Sequence, residues 1–183
     1  MEGLMRVLYP PFLGGRAALA LLALRVVAGS ALFLHGLQKM AGAPFGWMGP
    51  DAWAPQFLQF LAAVSECLGG LALVVGLLTP LAALGIGATM TVAVFVVHMA
   101  GGDPFVRLRG GGTEAAPLLD LPMAIVMVGG AGGSYELAAM FLATAIALLL
   151  AGPGRLSLDA HLFGRGRDAA NGGGRTPGRE IGK

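Results

Sequence analysis

The strongest constraint on the fold is one apolar run, Phe57–Leu78, which carries a single ionisable side chain, Glu66, in its middle. As a helix with a rise of about 1.5 Å per residue, this run is about 33 Å long, enough to cross the hydrocarbon core of a bilayer. Glu66 would then lie near the midplane, where a carboxylate costs on the order of 3 kcal/mol unless it meets protein, water or a cation. The run therefore predicts a membrane helix and a polar partner for Glu66 elsewhere in the chain.

The composition is that of an integral membrane protein. Of the 183 residues, 56% are hydrophobic and 12% charged, and the mean hydropathy is +0.75, which is too apolar for an ordinary soluble domain. The one cysteine, Cys67, excludes an intrachain disulfide, a CxxC redox pair and a cysteine-built metal cluster. The net charge of +2 comes largely from arginines near the two ends, which favours an anionic membrane surface over nucleic acid as the partner.

Apolar runs and helix breakers predict an all-α fold, an integral membrane four-helix bundle. Residues 1–16 form a basic lead, and the membrane domain covers 17–156. Within this domain, spans are expected at about 17–41, 57–78, 81–99 and 135–151, with an outer loop over 100–134. A short interfacial helix and a disordered Gly/Arg-rich tail are expected over 157–183. Inside the loop, Leu121–Val128 is too short to span the membrane and is expected to be interfacial or re-entrant. Ser157 is expected to cap the short helix.

Four spans would place both termini on one side of the membrane. Both ends are rich in arginine, and cytoplasmic segments carry the excess of basic residues. The sequence therefore predicts a multi-pass membrane protein with both termini cytoplasmic.

Three ionisable side chains, Arg25, His35 and Lys39, interrupt the first predicted helix. At 100° per residue they fall within about 80° of one another and form one polar stripe. Counted along the predicted spans, the depth of Arg25 differs from that of Glu66 by about 6 Å, and that of His35 by about 9 Å. Either side chain could reach Glu66 directly or through water, and if Glu66 has a structural role we expect Arg25 to be its chief partner. The candidate polar or quinone-proximal cluster consists of Glu66, Arg25, His35, Lys39, His98 and Glu136.

One face of the second predicted helix is lined by small residues around Glu66. At spacings of three and four it carries Ala62, Ser65, Glu66, Gly69 and Gly70. Small side chains let the backbone of a neighbouring helix approach closely. We therefore expect a helix to pack against this face.

Glu66 has two interpretations, and both stay open at this point. As a functional group, it accepts a proton or binds a quinone headgroup, with its carboxylate poised by partial burial beside a cation. As a structural group, it joins two helices through an ion pair. Lys39 and His98 lie at predicted helix ends, where such side chains commonly extend to the interface or bind loop carbonyls.

Two further cofactor interpretations use the same residues. Imidazole and carboxylate groups suit Zn, Fe or Mn, so His35, His98, Glu66 and Glu136 are a candidate ligand set, and His35 with His98 would suffice for a haem. No helix carries an HxxxH or ExxH pair, unlike the carboxylate bundles that bind two irons. We therefore expect no metal and no haem on this chain. A quinone is the candidate cofactor only in the functional interpretation of Glu66.

Six short motifs follow one another in a recognisable order: Arg25, His35-Gly36-Leu37-Gln38-Lys39, Glu66 with Gly69-Gly70, Gly76-Leu77-Leu78-Thr79, His98, and Gly152-Pro153-Gly154-Arg155-Leu156-Ser157-Leu158-Asp159. Over about residues 20–160 the chain resembles the DoxX family of small bacterial membrane proteins. The resemblance implies a four-helix inner-membrane protein related to subunits of a terminal quinol oxidase and of thiosulfate:quinone oxidoreductase. The loop over 100–134 is longer than the family pattern, which suggests an outer surface specific to one partner.

The expected function is that of a small inner-membrane subunit of a respiratory or other redox oxidoreductase complex. The chain would act as a membrane anchor or quinone-proximal subunit in electron transport, and would not be catalytic alone, because it carries no complete cofactor motif. Its expected partners are the lipid bilayer and other subunits of that complex. The alternative is a small-molecule transporter or channel, formed by a homo-oligomer, that uses the polar stripe as its pathway.

Overall fold

The chain is mostly helical in the computed structural model, which describes residues 8–108, 116–117, 126–128 and 133–164. Its helices are α1 Gly15–Gly42, α2 Gln56–Val75, α3 Thr79–Val92, α4 Glu136–Ala151 and α5 Leu158–Phe163. A π-helical segment, Ala93–Met99, follows α3 directly. The predicted tail beyond residue 164 and the start of the basic lead lie outside the described residues.

Within the part of the chain that the structure describes, three helical stretches are long and apolar enough to cross a membrane: Gly15–Gly42, Gln56–Val75 and Thr79–Met99. They place the chain in a lipid bilayer. α4 is also apolar but has 16 residues, which correspond to a length of about 24 Å against a hydrocarbon core of about 30 Å.

The long helices pack in chain order, α1 against α2, α2 against α3, and α3 against α4. Each of these four helices supplies one large apolar side chain that is at most 1% exposed: Leu32, Leu73, Ile86 and Leu148. We call these four residues the apolar layer. Burying each of them contributes about 2 kcal/mol if the unfolded state exposes it to water.

α1 and α2 approach backbone to backbone because glycines line their contact. A methyl group on Gly36 would collide with the backbone of Cys67, and one on Gly70 would lie 2.5 Å from the amide nitrogen of Phe33. A methyl group on Gly29 would lie 2.7 Å from the Gly70 carbonyl oxygen. Side chains at these positions would force the helices apart, so the glycines set the register of the crossing.

The small-residue face predicted for α2 divides between two neighbours. Gly70 meets α1, whereas a methyl group on Gly69 would lie 3.2 Å from the side chain of Ile86 in α3. Ser65 also faces α3, where a methyl group on Gly85 would lie 3.0 Å from its hydroxyl oxygen. Consecutive helical residues differ in direction by about 100°, so one small-residue stripe can contact two helices.

α2 ends at Val75, three residues before the predicted end, because Gly76 adopts a left-handed conformation with φ 70°. The Gly76 amide donates hydrogen bonds to the carbonyls of Ala72 and Leu73, which caps the helix. α3 then begins at Thr79, with Pro80 in its first turn, where the missing N–H of proline costs no intrahelical bond.

A small sheet follows the π-helical segment, so an all-α description of the chain omits one element. Strand β1 Val106–Leu108 pairs in parallel with β3 Val126–Val128, and β2 Ala116–Pro117 pairs antiparallel with β3, in the order β1-β3-β2. The apolar piece predicted as interfacial or re-entrant, Leu121–Val128, ends in the central strand of this sheet. Its first five residues lie outside the described part of the chain.

The polypeptide after α4 returns to the start of α1. The amide of Arg155 donates to the carbonyl of Leu13, 2.9 Å away, so these two segments meet at one end of the bundle. α5 begins after Ser157, whose hydroxyl accepts a hydrogen bond from the Ala160 amide at 3.1 Å. Ser157 therefore caps this helix, as predicted.

Candidate functional site

Glu66 forms an ion pair with Lys39 inside the helical bundle. The Lys39 ammonium nitrogen lies 2.6 Å from each carboxylate oxygen of Glu66. The Glu66 side chain is 4% exposed, and the Lys39 side chain is 23% exposed. The pair is thus closed on the carboxylate side and partly open on the ammonium side.

The predicted pairing of Glu66 with Arg25 is wrong. The α1–α2 crossing places Gly36 against the backbone of Glu66, and Lys39 lies one turn farther along α1. Helical side chains lean toward the N-terminus of their helix, so Lys39 leans back toward the level of Glu66. Arg25 lies eleven residues before Gly36, about 16 Å along the helix. The membrane depths counted along the predicted spans did not show this distance between Arg25 and Glu66, because the glycines decide where α1 and α2 cross.

The loop between α1 and α2 covers the ion pair. The ring of Trp47 lies over Lys39, with 4.3 Å between the ring centroid and the ammonium nitrogen. The indole N–H of Trp47 donates to the backbone carbonyl of Gln59 at 2.9 Å. The Gln59 side chain, 2% exposed, bonds the same loop. We call Lys39, Glu66, Trp47 and Gln59 the Glu66 cluster.

A second polar group, the Asp159 cluster, consists of Arg25, Asp159 and Tyr9. Asp159 is fully buried, and its carboxylate accepts hydrogen bonds from the amides of Leu78 at 2.7 Å and Thr79 at 2.8 Å. These amides belong to the start of α3, where a negative charge is stabilised by the helix dipole. Asp159 thus caps α3 from a distant part of the sequence.

Arg25 is also fully buried, and its guanidinium donates a hydrogen bond to the carbonyl of Leu156. A methyl group on Gly76 would collide with this guanidinium, so the cation lies against the C-terminal end of α2. A positive charge at a helix C-terminus complements the helix dipole. Arg25 and Asp159 therefore stabilise the two sides of the α2–α3 turn.

Tyr9 closes the Asp159 cluster from the segment before α1. Its hydroxyl lies 3.5 Å from Asp159 Oδ1, and its ring lies 5.1 Å from that of Phe163, between centroids. Burial, and then the neighbouring carboxylate of Asp159, raise the pKa of Tyr9 from 10.0 to about 12. Tyr9 is therefore a neutral phenol at physiological pH.

The other candidate residues lie apart from the Glu66 cluster. His98, in the π-helical segment, bonds Asp103 at 2.7 Å, and Arg107 lies 3.8 Å from the second oxygen of this carboxylate. His35 is exposed and contacts the ring of Phe141 edge-on, at 6.4 Å between centroids. Glu136 is exposed in the first turn of α4.

The candidate metal ligands are not brought together. Across residues 8–108, 116–117, 126–128 and 133–164, no three His, Cys, Asp or Glu side chains lie close enough to hold one metal ion. His98 contacts Asp103 and Glu66 contacts Lys39, so the four candidate ligands do not form a group. Of the six predicted residues, the structure joins two, Lys39 and Glu66.

Sequence reasoning missed the residues that support the charged ones. Gln59 was missed because it lies in an apolar run and does not ionise. The available signal was that an amide in such a run needs buried hydrogen-bond partners. Trp47 was interpreted as an anchor at the level of the lipid headgroups, because it lies in a loop beside a membrane helix. That interpretation does not predict its contact with Lys39. Asp103 and Tyr9 carry no sequence signal that connects them to their partners.

Comparison with known proteins gives one named family and one relative without a described function. The DoxX family model matches residues 20–99. An uncharacterised protein from Haemophilus influenzae is 33% identical over 110 residues, which make up 60% of this chain and 81% of that protein. The chain belongs to the DoxX family. No solved structure matches it.

The matched part of this DoxX protein contains the Glu66 cluster in full. It runs through α1, α2, α3 and the π-helical segment, and also includes Arg25 and His98. The Gly152–Asp159 stretch that contributed to the resemblance lies outside the match. DoxX membership and the three long apolar helices together identify a multi-pass membrane protein.

In this DoxX protein, the two polar clusters lie at different levels of the bundle. Glu66 and Gly76, which mark the two levels on α2, are ten residues apart, about 15 Å along the helix. Leu73, on the same helix, is fully buried with the rest of the apolar layer. The clusters are therefore separated by packed apolar side chains.

Proposed function

We propose that this DoxX protein is a small membrane subunit of a redox complex in the bacterial inner membrane, with a quinone headgroup binding at the Glu66 cluster. The observation that carries the proposal is the Lys39–Glu66 pair, buried on one side and partly open on the other. A buried ion pair contributes little net stability, because desolvation offsets most of the Coulomb attraction. Ionisable side chains inside a membrane commonly mark a ligand or proton pathway.

The two side chains suit the two needs of a quinone headgroup. The Lys39 ammonium can donate a hydrogen bond to a quinone carbonyl oxygen, and the Glu66 carboxylate can accept a proton from a quinol hydroxyl. The chain carries one cysteine and no complete cofactor motif. The electrons would therefore pass to or from a haem, flavin or iron–sulfur centre in a partner subunit.

The proposed topology has four spans with both termini in the cytoplasm. The bond between Leu13 and Arg155 supports it, because the segments before α1 and after α4 meet at one end of the bundle. An even number of crossings follows if α4 spans the membrane. A helix of 16 residues can do so where the bilayer thins locally or flanking residues complete the crossing.

Transport through a homo-oligomer has less support. A polar pathway through one bundle would have to pass the apolar layer, whose four side chains are at most 1% exposed. The two polar clusters therefore do not form one continuous pathway within a protomer. A pathway between protomers would need residues that the bundle exposes, and the Glu66 carboxylate is not among them.

The first test is purification of the tagged chain from its own membranes in mild detergent, followed by mass spectrometry and an absorbance spectrum. We expect redox subunits with haem or flavin bands. In that complex, Glu66→Gln should lower quinone-dependent turnover at least tenfold, whereas Glu136→Gln, at an exposed carboxylate, should leave it unchanged. A colourless homo-oligomer without partners, or full turnover with Glu66→Gln, would refute the proposal.

A further inference from the structure

We propose that Trp47 is a lid on the Lys39–Glu66 pair and that Gln59 holds this lid closed. The inference rests on the proposed function only for the identity of the ligand, a quinone headgroup. The lid itself is a property of the loop between α1 and α2, and it can be measured without any ligand.

The ammonium of Lys39 is already occupied in the structure. It has three N–H donors, and both carboxylate oxygens of Glu66 lie 2.6 Å from it. The ring of Trp47 covers it at 4.3 Å, a cation–π contact. A ligand oxygen that approaches Lys39 from the side of the loop therefore meets the Trp47 ring, and from that side it reaches the ammonium once the ring moves away or the ion pair opens. Moving the aromatic ring leaves the buried carboxylate paired, so it is the less costly route.

Gln59 bonds the loop through its backbone carbonyl and through both polar atoms of its side chain. Its backbone carbonyl accepts the indole N–H of Trp47, and its side-chain oxygen accepts the amide of Met48 at 3.1 Å. Its side-chain nitrogen donates to the carbonyl of Ala54 at 2.9 Å. One buried residue at the start of α2 thus fixes the loop both at the lid and seven residues beyond it. Gln59 is a positioning residue, because it acts on Lys39 only through Trp47.

A second contact anchors the loop next to the lid. The rings of Phe45 and Phe60 stack at 4.5 Å between centroids, with an angle of 9° between their planes. Trp53, in the same loop, is 56% exposed and has no part in the cluster. The chain has two tryptophans, so Trp53 offers a matched control for every change at Trp47.

The lid can be tested by amine modification, because Lys39 and Lys183 are the two lysines of the chain. The purified protein is treated with an acetylating reagent, and mass spectrometry compares the modification rate of Lys39 with that of Lys183. Trp47→Leu should raise the relative rate about fivefold, the factor for a cation–π contact of about 1 kcal/mol. Gln59→Met should raise it by a smaller factor, because it removes the side-chain bonds to Met48 and Ala54 and keeps the backbone carbonyl that accepts the indole N–H of Trp47. Trp47→Phe, which keeps a ring, should restore most of the protection, and Trp53→Leu should change nothing.

An unchanged Lys39 rate in Trp47→Leu would overturn the lid, and an unchanged rate in Gln59→Met would overturn the role of Gln59. Binding of decylubiquinone, a short-chain quinone, then separates the lid from the function. We expect Trp47→Leu to bind it about fivefold more tightly, since the ligand no longer displaces the ring. Faster Lys39 modification without quinone binding in any variant would support the lid and refute the quinone site.

Discussion

Replacing Gly36 by alanine is expected to destabilise the protein by forcing α1 and α2 apart. The new methyl group would meet the backbone nitrogen and Cα of Cys67, and neither atom belongs to a side chain that can rotate away. The two helices would have to separate to make room for it. This separation would also stretch the Lys39–Glu66 pair, which spans the same two helices.

The size of the effect follows from a comparison with Gly87→Ala. A methyl group on Gly87 of α3 would lie 3.7 Å from the Ala145 side chain, an ordinary contact. Both changes gain the same helix propensity, about 0.5–1 kcal/mol. Only Gly36→Ala adds overpacking against a rigid backbone, at about 3 kcal/mol. For a chain of this size, the two variants should differ in midpoint of thermal unfolding by about 6–12 °C.

Cys67 provides the assay, because it is the one cysteine, is buried, and lies at the crossing itself. Heating the detergent-solubilised protein with a thiol-reactive fluorophore reports when Cys67 becomes accessible. Gly36→Ala should react at a much lower temperature than the wild-type protein, and Gly87→Ala at the same temperature or slightly higher. Equal midpoints for the two variants would refute the assignment of the α1–α2 contact to Gly36.

Three further outcomes are expected in the same thermal assay. Lys39→Met should lower the free energy of unfolding by about 3 kcal/mol, because it leaves the buried Glu66 carboxylate unpaired. Adding Glu66→Gln should recover most of this loss. A double variant no more stable than Lys39→Met would contradict the pairing. Asp159→Asn should lower the free energy of unfolding by about 1–2 kcal/mol by weakening the cap of α3. Asp51→Asn, at an exposed site, should leave it unchanged. Equal midpoints of thermal unfolding for these two variants would contradict the cap. Because folding raises the pKa of Tyr9 from 10.0 to about 12, its contribution to stability is complete below pH 10 and is lost as the pH rises through 12, and Tyr9→Phe should abolish this loss.

The helices were predictable from the sequence because their signals are local. Long apolar runs bounded by Gly and Pro mark the spans, and a serine before an acidic first turn marks α5. The end of α2 was displaced by three residues, because one glycine can adopt a left-handed conformation inside an apolar run. The small sheet was missed because its strands have two or three residues each, too few to show alternation.

The partners of the charged residues were not predictable, because they depend on where two helices cross. The six candidate residues share polarity and approximate depth, and those properties alone placed Arg25 beside Glu66. The glycine at position 36 instead puts the crossing at Glu66, which brings Lys39 to the carboxylate and leaves Arg25 for the other end of the bundle. The polarity of the residues cannot predict the register of two helices when backbone contacts decide that register.

We expect the bundle to pack without the Lys39–Glu66 pair. Glycine contacts set the distance between α1 and α2, and the apolar layer fills the space among the four helices. An uncharged pair of similar shape would fit the same crossing without the desolvation cost that charges carry in a membrane. A double variant, Lys39→Met with Glu66→Gln, that unfolds close to the wild-type temperature would therefore show that the charges are dispensable for the fold. Loss of quinone-dependent turnover in that same folded variant would assign them to chemistry.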